Sequence, residues 1–248
     1  MNWSKIKNIM IFILVAVNLF LIGDIFVMHY SSTALPEGTG ESFKKVLEKN
    51  NIELEGYLVP KYYETRKVIE AEFYDMDYLT KAFLQGQPTY LSSGNTVTAM
   101  VEGRSLKVSD VIIEYTQVGE AVEKNGEDII KALNEAGLST TGAKFVKNEG
   151  LVRVFVDDIL VEGVYLDVKL SKEGEIVYLK GVWPKITITN ATEKVSVISS
   201  VKELCQAVPQ GSCIDGIEII YVTHGDNKNC TITPGWKISC EGKTYTVN

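Results

Sequence analysis

"LVRVFVDDILVEGVYLDVKLSKEGEIVYLKGVWPKI" (residues 151–186) is the stretch on which the fold turns. It is rich in Val, Ile, Leu and Tyr and carries turn residues at short intervals, so it reads as an antiparallel meander with its clearest hairpin turn at Lys172-Glu173-Gly174. Asp157-Asp158 reads as a solvated turn or bulge. On a strand the two carboxylates would point to opposite faces, which is wrong for holding one metal ion.

Outward from the meander, helical and strand patterns take turns. "GEDIIKALNEAGL" (126–138) has Ile129, Ile130 and Leu133 at helical spacing and Gly137 as its stop. "MDYLTKAFLQG" (76–86) is a second helix ending at Gly86, and "ESFKKVLEKNNI" (41–52) a third with Phe43, Val46 and Leu47 on one face. Residues 89–118 read as three short strands with turns at Ser93-Gly94-Asn95 and Glu102-Gly103. "EKVSVISSVKELCQAV" (193–208) has helical spacing again, and "IEIIYVTH", "CTITPGWKIS" and "KTYTVN" read as strands, with a tight turn at Glu241-Gly242. A helix against a small antiparallel sheet, used about three times, predicts an α+β fold of repeated helix-plus-antiparallel-sheet units. The expected boundaries are 41–120, 121–189 and 190–248, after a linker over 29–40.

The N-terminus carries a different pattern. Residues 9–28 form an apolar run of about 20 residues, long enough for a ~30 Å hydrocarbon core at ~1.5 Å per helical residue. Lys5 and Lys7 precede it, and the next cations are Lys44 and Lys45. The positive-inside rule then predicts an uncleaved single-pass transmembrane helix, residues 1–8 in the cytoplasm and the rest extracellular, at the cell membrane. Asn18 near the middle of the run is a candidate contact to a partner helix, together with Leu14, Leu21 and Ile22; the plainer alternative is that Asn18 bonds its own backbone.

The net charge of −7 leaves an acidic body behind a weakly basic N-terminus, which argues against nucleic acid as a direct ligand. All four cysteines (Cys205, Cys213, Cys230 and Cys240) lie near the C-terminus and are candidate disulfides. Three pairings are open; Cys205–Cys213 and Cys230–Cys240 close the shortest loops. No C-x-x-C is present, so the spacing is not a zinc pattern.

Catalytic signatures are missing: there is no G-x-S-x-G, H-E-x-x-H, G-x-x-x-x-G-K-[ST] or G-x-G-x-x-G. No cofactor or metal is expected, and no catalytic residue is named. Tyrosines outnumber histidines twelve to two, and several crowd one stretch. Tyr62, Tyr63, Tyr74 and Tyr78 are therefore candidate interface aromatics, since tyrosine offers an apolar body with a polar tip. Strand packing is the bland alternative. Trp183 and Trp236 read as core or edge anchors.

Both ends of the chain resemble one family. Trp3, Ser4, Lys5 and Lys7, followed by Asn18-Leu19-Phe20-Leu21, resemble the opening of the YycI family of Gram-positive bacteria, with Val17 as a departure. Pro234, Trp236 and the terminal Tyr245, Val247 and Asn248 are similar to that family's last strands, while the cysteines depart from it. The resemblance implies a membrane-anchored accessory protein, not an enzyme. It would bind the sensor histidine kinase WalK (YycG) together with a YycH-like protein, through transmembrane helices and outer domains, and adjust two-component signalling over cell-wall metabolism. The competing expectation is a PepSY-like binding or inhibitor module acting on a peptidase or wall enzyme.

Overall fold

Residues 10–24, 39–55, 63–225 and 230–247 are described in the computed structural model. Their β-branched runs do not close into separate small sheets. They join one sheet of 14 strands, and this replaces the expected repeat of helix-plus-antiparallel-sheet units.

The meander sits near the centre. Strand β8 (Leu151–Val156) turns into β9 (Ile159–Leu170), which turns into β10 (Ile176–Val182). Asp157 and Asp158 both have positive φ and make the two-residue turn between β8 and β9. Each is ion-paired from a different side, Asp157 to Lys67 and Asp158 to Lys144.

Beyond β10 the sheet continues through β6 (Ile112–Gln117), β5 (Arg104–Ser109), β4 (Thr96–Val101) and β3 (Thr89–Ser93), which is its outer edge. Residues 89–118 thus hold four strands where the sequence pattern predicts three. The extra reversal is at Asp110-Val111, where Asp110 takes a positive φ that a local pattern does not announce. Strand β7 (Ala143–Val146) pairs with β8. Helices α3 (Met76–Phe83) and α4 (Gly126–Glu135) bury Leu79, Phe83, Ile129 and Leu133 against this half of the sheet. Its other face carries charges of alternating sign across four strands, Asp167, Lys180, Glu114 and Lys107 in register. Opposite charges placed so suit a solvated face.

The second half is β11 (Lys185–Val195), β2 (Glu64–Glu72), β13 (Cys230–Cys240) and β12 (Cys213–Gly225), with β14 (Lys243–Val247) on β13 and β1 (Glu53–Leu54) on β12. Helices α2 (Thr39–Lys49) and α5 (Val201–Ala207) cover it, around Phe43, Leu47, Val197, Leu204, Ile238 and Trp236. Two parallel pairings, β12 with β9 and β12 with β1, make the sheet mixed. The helix expected over 193–208 is real only from Val201. Residues Glu193 to Val195 instead pair with Arg66 to Glu64 and extend β11.

The expected transmembrane anchor is corrected. Helix α1 covers residues 10–24. Among the described residues no helix is long and apolar enough to cross a membrane, which overturns the single-pass topology and the localisation drawn from it. Residues 9 and 25–28 of the expected span lie outside the described residues.

Candidate functional site

Asp75 starts the site. It stands before α3 in an extended conformation, and its Oδ1 accepts from the Tyr78 N–H at 2.6 Å, capping the helix. With the helix held there, Tyr74 and Tyr78 stack, ring centroids 5.1 Å apart and planes 24° apart.

Both hydroxyls are then used inside the protein. Tyr78 Oη donates to the Gly137 carbonyl at 2.5 Å, and Tyr74 Oη accepts from the Ser139 N–H at 2.6 Å. The Ser139 carbonyl accepts from Trp183 Nε1 at 2.9 Å, and Trp183 is fully buried. The loop after α4 is thus tied to the aromatic pair on one side and to the core on the other. Gly137, at φ +80°, permits the approach: a Cβ there would lie 2.8 Å from Tyr78 Oη. Burial pushes the Tyr74 hydroxyl above its ordinary pKa of 10.0, against a lowering by the Ser139 hydrogen bond; the neighbouring Tyr78 adds to the rise. A neutral Tyr74 phenol is the state this packing favours.

The two rings line a cleft of about 370 Å³ with Glu72, Asp75, Asn134, Ser139 and Lys185. Tyr78 is 43% exposed. Glu72 and Lys185 are direct cross-strand neighbours on β2 and β11, so the rim carries both signs of charge. Because the hydroxyls are spent on the protein's own backbone, the two stacked side chains are held in place at the cleft. Fixed aromatic faces lose little side-chain entropy on binding, which suits protein recognition.

A larger recess of about 810 Å³ lies by the start of α4, lined among others by Lys124, Asn125, Phe145, Lys147 and Asp167. Lys124 Nζ there donates to the Lys172 carbonyl at 3.0 Å, and the lining has no fixed aromatic pair. Among the described residues no three His, Cys, Asp or Glu side chains are placed to hold a metal ion.

Of the candidate aromatics, Tyr74 and Tyr78 come together and Tyr63 lies apart from them, half-buried before β2; Tyr62 is outside the described residues. Lys185, Asn134 and Ser139 are not legible as site residues, since nothing local links positions from about 60 to about 110 residues apart. Asp75 had a local signal, an acid directly before a helical pattern.

The candidate helix-contact residues lie on α1. Asn18 Nδ2 donates to the Leu14 carbonyl at 2.8 Å, so this amide bonds its own helix. Leu14, Leu21 and Ile22 are exposed, at 66, 51 and 61%. The cysteine pairings are corrected as well: Cys205, Cys213, Cys230 and Cys240 are all free thiols. Cys230 and Cys240 occupy the two ends of β13. Ten steps of ~3.3 Å put them roughly 33 Å apart, far beyond a disulfide's ~5.5 Å Cα separation. Cys213 Sγ instead faces Glu55 Oε2 at 3.7 Å.

No protein-family model matches the chain, and no curated protein matches it.

Proposed function

We propose that this protein is an accessory regulator that works by binding another protein, and that the partner is a sensor histidine kinase of the kind served by the YycI family. The observation that carries the binding reading is the Tyr74–Tyr78 pair, held by Gly137 and Ser139 and lining a cleft of mixed charge. The kinase assignment rests on the YycI-like residues at the two ends of the chain, Trp3-Ser4-Lys5 and Pro234-Gly235-Trp236. In this reading an aromatic or aliphatic side chain of the partner packs on Tyr78. Glu72 and Lys185 orient the partner's charges at the rim, and the bound kinase shifts its signalling output. A YycH-like protein is a second proposed partner on the same grounds.

Crosslinked pull-down from the source cells tests this. The wild-type chain is expected to retain a sensor histidine kinase. Tyr78→Ala, which removes a central aromatic anchor worth about 2 kcal/mol, is expected to weaken binding roughly 30-fold. A wild-type protein that captures no kinase, or capture indifferent to Tyr78→Ala, would overturn the proposal. Capture of a peptidase or wall enzyme in its place would favour the inhibitor-module alternative.

A further inference from the structure

Among the described residues the sheet has five strands with only one neighbour, and four of them carry a charge. Strand β1 contains Glu53, β7 contains Lys144, and β14 contains Lys243. Strand β11, at the far end, contains Lys185, Glu193 and Lys194 and has a register shift between Ile188 and Thr192. Charges and bulges of this kind keep open strand edges from pairing with other chains. Strand β3, Thr89-Tyr90-Leu91-Ser92-Ser93, has no charge, no proline within it and no shift in its register with β4. All five residues are exposed, Leu91 at 57%.

The edge is also held rigid. Gly94, at φ +58°, makes the first position of a two-residue turn between Ser93 and Thr96. Asn95 Nδ2 donates to Asp110 Oδ1 at 3.1 Å, and the Thr96 and Ser109 hydroxyls lie 2.9 Å apart, tying the turn to the next hairpin. A two-residue turn closes on a hydrogen-bonded pair. Alternation along the ladder then turns the N–H and C=O of Tyr90 and Ser92 away from β4, with Leu91 between them.

We infer that β3 is a self-association edge, and that a second copy of this chain pairs with it antiparallel about a two-fold axis at Leu91. In that register Tyr90 faces Ser92 of the other copy, so the four outward main-chain groups of each strand's Tyr90 and Ser92 are satisfied together. Thr89 faces Ser93. Leu91 faces Leu91 at a non-hydrogen-bonded position, where side chains approach most closely. Met100, exposed and paired with Thr89 on the same sheet face, flanks that contact on each side. The strand is thus its own complement, as an isologous contact requires, and no like charges meet. Assembly stops at two copies, because the opposite end of the sheet is guarded by the charges and bulge of β11. A five-residue strand pair is small, so the association belongs to the weak, transient class below ~1,200 Å².

Sedimentation equilibrium of the full chain, from micromolar to millimolar concentration, tests this beside two variants. Leu91→Lys places two like charges opposite each other; Thr187→Lys adds the same charge to an exposed position on β11. The expected result is a monomer–dimer equilibrium in wild type, a dissociation constant raised at least tenfold by Leu91→Lys, and no change with Thr187→Lys. A photo-crosslinking benzoylphenylalanine at Tyr90 is expected to trap a dimer, and one at Thr187 is not. This second readout does not depend on the folding of the charged variants. A wild type that stays monomeric, an equal response to both lysines, or crosslinking from Thr187 but not from Tyr90 would overturn the inference.

Discussion

Gly137 shows how much one residue can carry. Its positive φ turns the chain out of α4, and the space where a side chain would be is filled by the Tyr78 hydroxyl. Gly137→Ala is expected to cost about 1–2 kcal/mol, from the left-handed backbone and the displaced phenol together. Thermal unfolding reads the loss, and near-ultraviolet circular dichroism reads the disturbed tyrosine pair. Asp158 makes a second test. Its hydrogen bond from Lys144 Nζ, at 2.5 Å, and then the ammonium charge itself hold this carboxyl below its ordinary pKa of 3.8. A depressed carboxylate contributes stability above its unfolded pKa, and that contribution fades as pH falls through the lower folded value. Carbon-13 titration should therefore place the Asp158 midpoint below the ordinary range, and Lys144→Met should return it there. A wild-type midpoint at or above 3.8 would mean that the pair does not persist in solution.

At the scale of elements, α4 is the clearest case of sequence becoming structure. Asn125 Oδ1 accepts from the Asp128 N–H at 2.9 Å and starts the helix; Ile129 and Leu133, one turn apart, are buried, and Gly137 ends it. Asn125→Ala is expected to cost about 1 kcal/mol through the lost cap. Leu133→Ala is expected to cost about 2–5 kcal/mol, because a fully buried leucine leaves a cavity. Denaturant titrations of the two variants should keep that order; a Leu133→Ala loss no larger than that of the cap variant would place Leu133 outside the core. Where strand stands in place of the expected helix, a longer-range pairing decides it. Glu193 to Val195 share helical spacing with residues 197–205, but Arg66 to Glu64 offer them a strand partner, and the ladder prevails over a short amphipathic pattern.

Across the whole molecule the two halves meet where β12 runs parallel to β9. Tyr221 Oη donates to the Lys67 carbonyl of β2 at 3.0 Å within the second half, and Thr223 Oγ1 donates to the Glu162 carbonyl at 2.9 Å across that junction. Cys230 is buried in the core that reaches across it. Desolvation raises its thiol pKa above the ordinary 9.0, so the unreactive thiol dominates at neutral pH. Alkylation of Cys230 is accordingly expected to follow global unfolding in denaturant, with the same midpoint as circular dichroism. Labelling of Cys230 well before that midpoint would show that the second half opens independently.

Hydrophobic period, caps and turn residues are local, so the sequence alone determined the helices at 76–83 and 126–135, the central meander and the tight turn at Glu241-Gly242. Tertiary structure decided what those signals do not encode. Which strands pair depends on burial and register between residues far apart, and so one mixed sheet stands where repeated units were expected. The separation of Cys230 from Cys240 and the union of Tyr74 and Tyr78 with Gly137 and Ser139 were settled in the same way, because each is a distance in space rather than a spacing along the chain.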